Sequence, residues 1–284
     1  MIIQDYLNPQ DFLEILETRF SRPYENELMI GLTSVIRKDF LHYQTNPFLV
    51  SISNHERIDL VAFITPPWPL LLYAEEQPED GSLKLLIKTL QKKKIMVTGV
   101  NAKTQISTRF ADLWVENSLE KASMKMKMNL SILKNIRPIK LSTGYMVNAT
   151  KQHTTLLVQW AELFHEELGL QYENQSFINK HVDDMINSHH AYLWIDKEPV
   201  SMVFLERPHK RGVSIGYVFT PEKFRKKGYA QSLVYSTCES ILDKELEYCA
   251  LFADKQNPVS NHIYKKIGFS ELCEYSNYDF IKKS

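Results

Sequence analysis

Three cations, Arg225, Lys226 and Lys227, stand directly ahead of a helix-like apolar run in "VFTPEKFRKKGYAQSLV", residues 218–234. That is the positive pole of the helix macrodipole, where a cation costs a few tenths to ~1 kcal/mol and an anion is favoured. A chain that keeps three cations there needs a negative group to compensate them. The strand "VSIGYVF" delivers the chain to this loop, and the helix expected over 229–244 points its unpaired N–H groups at whatever lies in front of it. Gly228 has no Cβ to block close approach, Ala230 keeps its position small, and Ser232 offers a hydroxyl donor. Phosphate is the natural guest; the alternative is a solvated basic turn with a glycine needed only for backbone shape.

Any such anion site is local, because Lys plus Arg is 34 and Asp plus Glu is 34. That balance argues against nucleic acid or an anionic membrane as the main partner. The bases of "RKKGYA" and "QKKKI" are not interleaved with aromatic residues, which weakens a nucleic-acid reading further. Neither G-x-x-x-x-G-K-[ST] nor G-x-G-x-x-G occurs, so nucleotide hydrolysis and dinucleotide binding lose ground. The absence of G-x-S-x-G and H-E-x-x-H disfavours serine and zinc hydrolysis, and the His189-His190 pair reads as a helix-end feature; no metal is expected. Cys238, Cys249 and Cys273 show no C-x-x-C spacing and read as reduced, buried thiols. The first residues lack the basic flank and apolar stretch of a signal peptide. The longest apolar run, "LVAFITPPWPLLLY", is broken by prolines and falls short of the ~20 residues a membrane span needs, so a soluble, cytoplasmic protein is expected.

With 284 residues and 44% hydrophobic content, two domains are expected, 1–140 and 141–284. In the first, helices come first ("PQDFLEILETRF", "ENELMIGLTSVIRKDF"). Strands "PFLVSIS" and "IDLVAFITP" follow, then helices "SLKLLIKTLQKKK" and "TQISTRFADLWVEN" around the apolar piece "IMVTGV", and strand "MKMKMNLSIL". The second reads as strand "YMVNA", helices within 152–168 and 175–188, strands "AYLWID", "PVSMVFLER" and "VSIGYVF", the basic loop, its helix, and strand "YCALFA". A short helix follows, capped by Asn257, begun by Pro258 and ended by Gly268.

"VSIGYVFTPEKFRKKGYA" and "LFADKQNPVSNHIYKKIGF" together resemble the two acyl-CoA motifs of the GNAT superfamily of N-acetyltransferases. In that family a strand is followed by Gln/Arg-x-x-Gly-x-Gly/Ala, matched by Arg225, Gly228 and Ala230. Downstream come an asparagine and a helix with a tyrosine before Lys-x-Gly-Phe, matched by Asn257, Tyr264, Lys266, Gly268 and Phe269. The whole chain resembles a subgroup with a degenerate GNAT-like first half, to which "GVNAKTQISTRFADLW" is similar. It departs from that subgroup at Ala102-Lys103, where Gly-Pro is common, at Glu222, where a proline is common, and at Lys226, where a glycine is common.

The resemblance implies an α/β, more strictly mixed α+β, fold: two GNAT-like units with a mixed, mostly antiparallel sheet flanked by helices. It implies acetyl-CoA as cosubstrate, bound by the second half at Val218, Phe219, Thr220, Arg225, Lys226, Lys227, Gly228, Tyr229, Ala230, Ser232, Asn257 and Asn261. The anion facing the three cations would then be a pyrophosphate. Acetyl transfer to an amine needs a neutral nucleophile, a polarised thioester carbonyl and a proton for the departing thiolate. Backbone N–H groups near Val218 serve the carbonyl and Tyr264 serves as general acid, unless its ring only packs between helix and sheet. Glu206, at the end of "VSMVFLE", is the candidate general base acting through water, unless it is simply a solvated strand end. The acceptor expected is a small-molecule or peptide primary amine; the competing expectation is a non-catalytic acyl-CoA-binding sensor or interaction protein.

Overall fold

The computed structural model describes residues 1–40, 42, 45–116, 118–169, 175–242 and 246–283. The chain forms two compact units, residues 1–130 with 253–257 and 271–284, and residues 131–252 with 258–270. Asn117 and residues 243–244, at the ends of two expected helices, lie outside the described residues.

Unit 1 opens on a strand, β1 (Ile2–Asp5), which the sequence reading did not anticipate. It continues through α1 (Pro9–Thr18), α2 (Glu27–Lys38), β2 (Phe48–Asn54), β3 (Arg57–Ile64), β4 (Leu70–Tyr73), α3 (Asp80–Lys92), β5 (Gly99–Lys103), α4 (Thr104–Glu116) and β6 (Glu120–Leu133). The start of α1 is set locally. Asn8 accepts the Gln10 N–H at 3.0 Å and Pro9 takes a position whose own N–H would go unpaired.

Strands β1 to β4 pair antiparallel in order, whereas β4 and β5 run parallel at Leu70↔Val100 and Leu71↔Asn101. Alternate residues of β2 and β3 supply opposite layers. Val50, Ile52, Leu60, Ala62 and Ile64 pack with Leu83, Leu86 and Leu90 of α3 and Phe110 of α4. Leu49, Val61 and Phe63 pack with Phe12 and Leu16 of α1 and Ile30 of α2. Helices on both faces explain why these strands are nearly continuous runs of apolar side chains.

Unit 2 contains β7 (Tyr145–Asn148), α5 (Thr154–Glu167), α6 (Gln175–Asn187), β8 (Ala191–Asp196), β9 (Glu198–Glu206), β10 (Gly212–Phe219), α7 (Tyr229–Leu242), β11 (Tyr248–Asp254) and α8 (Pro258–Ile267). Strands β7 to β10 are antiparallel neighbours in sequence order, and β11 joins β10 in parallel. One face packs Leu193, Met202, Phe204 and Phe219 against Leu157 and Trp160 of α5 and Ile178 and Val182 of α6. α7, with Leu233, Val234 and Cys238 buried, covers β8 and β9. The last strand, β12 (Ser270–Lys282), returns to unit 1, where it pairs antiparallel with β5 from Tyr275↔Lys103 to Asp279↔Gly99. A single boundary near residue 140 does not provide for that return.

The fold is therefore mixed α/β, with a mixed, mostly antiparallel sheet flanked by helices, as the sequence reading expected; β4–β5 and β10–β11 are parallel pairs among the described residues. Cys238 and Cys249 are buried and Cys273 is half-buried; all three are free thiols. No helix among the described residues is long and apolar enough to cross a membrane.

Candidate acyl-CoA site

Pairing between β10 and β11 runs only from Gly212↔Tyr248 to Ser214↔Ala250, while β10 continues to Phe219. The two strands part at the point where β10 also loses register with β9. The pairing passes from Gly216↔Phe204 to Phe219↔Met202, so Tyr217 and Val218 stand opposite the single residue Val203. This is a β-bulge, and it interrupts the regular ladder at these two residues. Tyr217 has φ +50°, an uncommon conformation for a non-glycine residue and a costly one.

Packing holds it there. The Tyr217 ring lies 5.0 Å from each of Phe164, Phe204 and His181 and 5.2 Å from His165. Its hydroxyl is 2.8 Å from His165 Nε2. Burial, reinforced by His181 and opposed by Glu206, lowers the pKa of His165 to about 4, so the ring is neutral at pH 7. After the bulge, the Phe219 carbonyl accepts from Ser201 Oγ at 3.0 Å and the Thr220 hydroxyl donates to Ser201 Oγ at 2.9 Å.

The loop then turns twice into left-handed backbone, at Lys226 (φ +64°) and Gly228 (φ +81°), before α7 begins. The Gly228 carbonyl accepts the Ser232 N–H at 3.0 Å, closing the first turn. Arg225, Lys226, Lys227 and Gly228 are exposed and Ala230 is half-buried. Left-handed residues ahead of a helix N-terminus can gather backbone N–H groups into a concavity of the kind that binds anions. A Cβ on Gly228 would meet only Ser142 Cβ at 3.9 Å, so the demand for glycine comes from the dihedral angle and not from crowding.

Not every expected residue faces outward. Ser232 is 1% exposed, and its Oγ accepts from Ser142 N at 2.8 Å and Ser142 Oγ at 2.9 Å. Tyr229 is buried and donates to Asp196 Oδ2 at 2.5 Å, which ties the start of α7 to β8. Arg225 ion-pairs with Glu167 and donates from Nε to the Thr220 carbonyl at 2.8 Å. Asn257 is exposed just ahead of α8, and Asn261 is half-buried within it.

Tyr264 is half-buried on α8, its ring edge-on to Phe269 at 5.8 Å. Its hydroxyl makes no hydrogen bond among the described residues. Burial, with nearby Cys238 adding to it, raises its pKa, so the phenol keeps its proton well above neutral pH. Glu206 is not a solvated strand end: it is 5% exposed, with His181 Nε2 at 2.9 Å and Arg207 Nη1 at 3.2 Å. Burial pushes its carboxyl up, but His181, Arg207 and His190 outweigh this and hold it at about 2. His165 and His181 were missed in the sequence, where each is one histidine on an amphipathic helix.

Unit 1 repeats the order strand, loop, helix, parallel strand, helix with opposite chemistry. Its loop between β4 and α3 is "AEEQPE", and α3 begins at Asp80. Glu75 accepts from Ser21 Oγ at 2.8 Å and Arg22 N at 2.8 Å, and Asp80 pairs with Arg109. At the ends of β4 and β5, Lys103 Nζ lies 5.0 Å over the Tyr73 ring and ion-pairs with Glu25. Carboxylates stand where a phosphate would need N–H groups.

The depressed His165 pKa has a measurable consequence. The unfolded ring titrates near 6.5, so below that pH the unfolded chain binds a proton that the folded chain refuses. Stability should fall as pH drops toward about 4, by at most about 1.4 kcal/mol per pH unit. Thermal denaturation of His165→Gln should show a shallower loss between pH 6.5 and 5 than the natural protein; equal slopes would show that His165 does not carry the effect.

The family model described as FR47-like protein matches residues 195–278, which contain the bulge, the loop and Tyr264. No curated protein matches the chain. Among solved structures, an acetyltransferase from the GNAT family of Colwellia psychrerythraea is 12% identical, with a TM-score of 0.58 over 99% of this chain and 100% of that one. A GCN5-related N-acetyltransferase from Sphaerobacter thermophilus is 11% identical, with a TM-score of 0.65 over 100% and 96%. A tandem GNAT protein from the clavulanic acid biosynthesis pathway is 8% identical, with a TM-score of 0.56 over 100% and 99%. The fold of this chain is the tandem fold of the GNAT acetyltransferases.

Proposed function

We propose that the protein is an acetyl-CoA-dependent N-acetyltransferase that transfers the acetyl group to a primary amine by direct attack in a ternary complex. The observation that carries the reading is the combination, in one strand, loop and helix, of the bulge at Tyr217–Val218 with the left-handed Gly228 at the start of α7. Bound acetyl-CoA supplies an activated acyl thioester. The N–H groups around Gly228 and Ala230 and the cations at 225–227 hold its pyrophosphate. Backbone N–H groups of β10 near Val218 polarise the carbonyl as negative charge develops on it. Tyr264, protonated and with its hydroxyl uncommitted, gives a proton to the departing sulfur. Unit 1 binds no second CoA, because its equivalent loop carries Glu75, Glu76, Glu79 and Asp80.

Calorimetric titration should give one CoA per chain; two would contradict the reading. Gly228→Val forces a branched side chain into left-handed backbone at roughly 1–2 kcal/mol or more, so CoA affinity should fall about tenfold or further, and less in Gly228→Asn. Unaltered affinity in Gly228→Val would remove the phosphate-loop reading. Tyr264→Phe keeps the ring against Phe269. It should lower turnover, followed as free thiol with a panel of primary amines, by about 10²-fold while leaving the CoA dissociation constant unchanged. An unchanged turnover number would reduce Tyr264 to packing, and CoA binding without turnover of any amine would favour an acyl-CoA-binding protein.

A further inference from the structure

We propose a second ligand site on unit 2, in the cavity between α5 and the loop that follows β10, and assign it to a free amino acid with a bulky apolar side chain. The cavity has a volume of about 300 Å³, at the small end of the range for ligand sites, and admits a molecule of amino-acid size. The assignment rests on this cavity alone and not on the transferase reading above.

Part of the lining is a stripe of α5, Leu156, Trp160 and Leu163, spaced four and three residues apart as one helix face requires. The rest of the apolar lining is Pro199, near the start of β9, with Pro221 and Phe224 around the 3-10 turn Glu222–Phe224. Trp160 is 5% exposed, and its ring is packed 6.2 Å from that of Phe219. A buried indole N–H ordinarily has an acceptor, yet none of the described residues accepts from this one. Leu163, on the same stripe, is 38% exposed and leaves apolar surface uncovered at the cavity.

The polar lining decides the class of ligand. Gln159 is exposed, and its side-chain amide makes no hydrogen bond among the described residues. The two charged lining residues, Glu198 and Lys223, have opposite signs, and their side chains are 60% and 69% exposed at 3.7 Å. A pair so exposed contributes only ~0–1 kcal/mol, so it yields to a ligand at little cost. Lys223 Nζ lies 4.5 Å over the Phe224 ring, which keeps the ammonium beside the apolar lining. A ligand with a single charge that displaces this pair leaves one of the two without a partner. A zwitterion serves both: its ammonium meets Glu198, its carboxylate meets Lys223, and its side chain leaves water among Leu156, Trp160 and Leu163. Phe224 directly precedes Arg225, but none of residues 225–230 belongs to the lining, so the amino acid and CoA have separate contacts.

Calorimetric titration of the full chain with L-phenylalanine, L-leucine and L-tryptophan tests the site without any activity. At least one should bind with one molecule per chain, and glycine, which has no apolar body, should not bind measurably. For the tightest of the three, the analogue lacking the ammonium and the analogue lacking the carboxylate should each bind about fivefold more weakly; for L-phenylalanine these are 3-phenylpropionate and phenethylamine. Leu163→Glu puts a carboxylate into the apolar lining and should weaken binding at least about tenfold. The double variant Glu198→Gln with Lys223→Gln changes only exposed side chains, so it stays readable if Leu163→Glu does not fold, and it should erase the preference for the zwitterion over the two analogues. Saturating CoA should leave the amino-acid dissociation constant unchanged. The proposal is overturned by the absence of saturable binding of all three amino acids, by equal affinity for the single-charge analogues, by affinity unmoved in folded Leu163→Glu, by a preference for the zwitterion kept in the double variant, or by displacement by CoA. None of these outcomes depends on turnover of an amine, so failure of the transferase reading leaves the test intact.

Discussion

The bulge at Tyr217–Val218 is the constraint on which the rest of unit 2 depends. Regular pairing along β10 would consume the backbone groups that an acyl-CoA site needs, and breaking it puts a non-glycine residue at φ +50°, a cost of order 1–3 kcal/mol. The Tyr217 side chain offsets that cost through its contacts with Phe164, Phe204, His165 and His181 and its hydroxyl contact with His165. Backbone N–H groups and helix side chains are thereby coupled: α5 and α6 hold the irregular strand from one face, and α7 covers the other. The strained residue is pinned by aromatic packing rather than left in a loop.

Each unit has a parallel pair of strands with a helix between them, and the loops ahead of those helices differ in charge and backbone. Unit 2 brings Arg225, Lys226, Lys227 and two left-handed residues to the start of α7. Unit 1 brings Glu75, Glu76, Glu79 and Asp80 to the start of α3, with Lys103, Glu25 and Tyr73 joined at the strand ends. The macrodipole favours an anion at both helix starts. Unit 1 meets it with its own carboxylates, whereas in the proposed reading unit 2 meets it with the pyrophosphate of CoA. Arg225, meanwhile, pairs with Glu167 at the carboxyl end of α5, where an acidic residue is otherwise disfavoured.

Features governed by a few neighbouring residues were legible in the sequence. The loop "FRKKGYA" and the Pro258 start and Gly268 stop of α8 are local, and the structure has α8 and α1 where the pattern placed them. Strands β8, β9 and β10 were readable because their apolar runs are bounded by turn residues such as Lys197, itself left-handed at φ +65°. Features set by distant partners were not legible. β1 and β4 were not anticipated: β1 is a four-residue strand with mostly exposed residues, and β4 lies directly after the prolines at 66, 67 and 69; nothing in "SELCEYSNYDFIK" announces that β12 belongs with unit 1. Glu206 was picked as a base from its place at a strand end, but its burial and its partners come from α6 and from the residue after it, 25 positions and 1 position away. Ser232 looked like a donor on a helix start, and it faces Ser142 instead, 90 residues earlier.

The central claim is that the pyrophosphate of CoA is held by the start of α7 in unit 2. Amide hydrogen exchange followed peptide by peptide, with and without saturating CoA, tests it most directly. Slowed exchange is expected only at the bulge and the loop, residues 216–220 and 226–232, with no change across residues 74–84 of unit 1. Protection of residues 74–84, or unaltered exchange at 226–232 under conditions where CoA is bound, would contradict it.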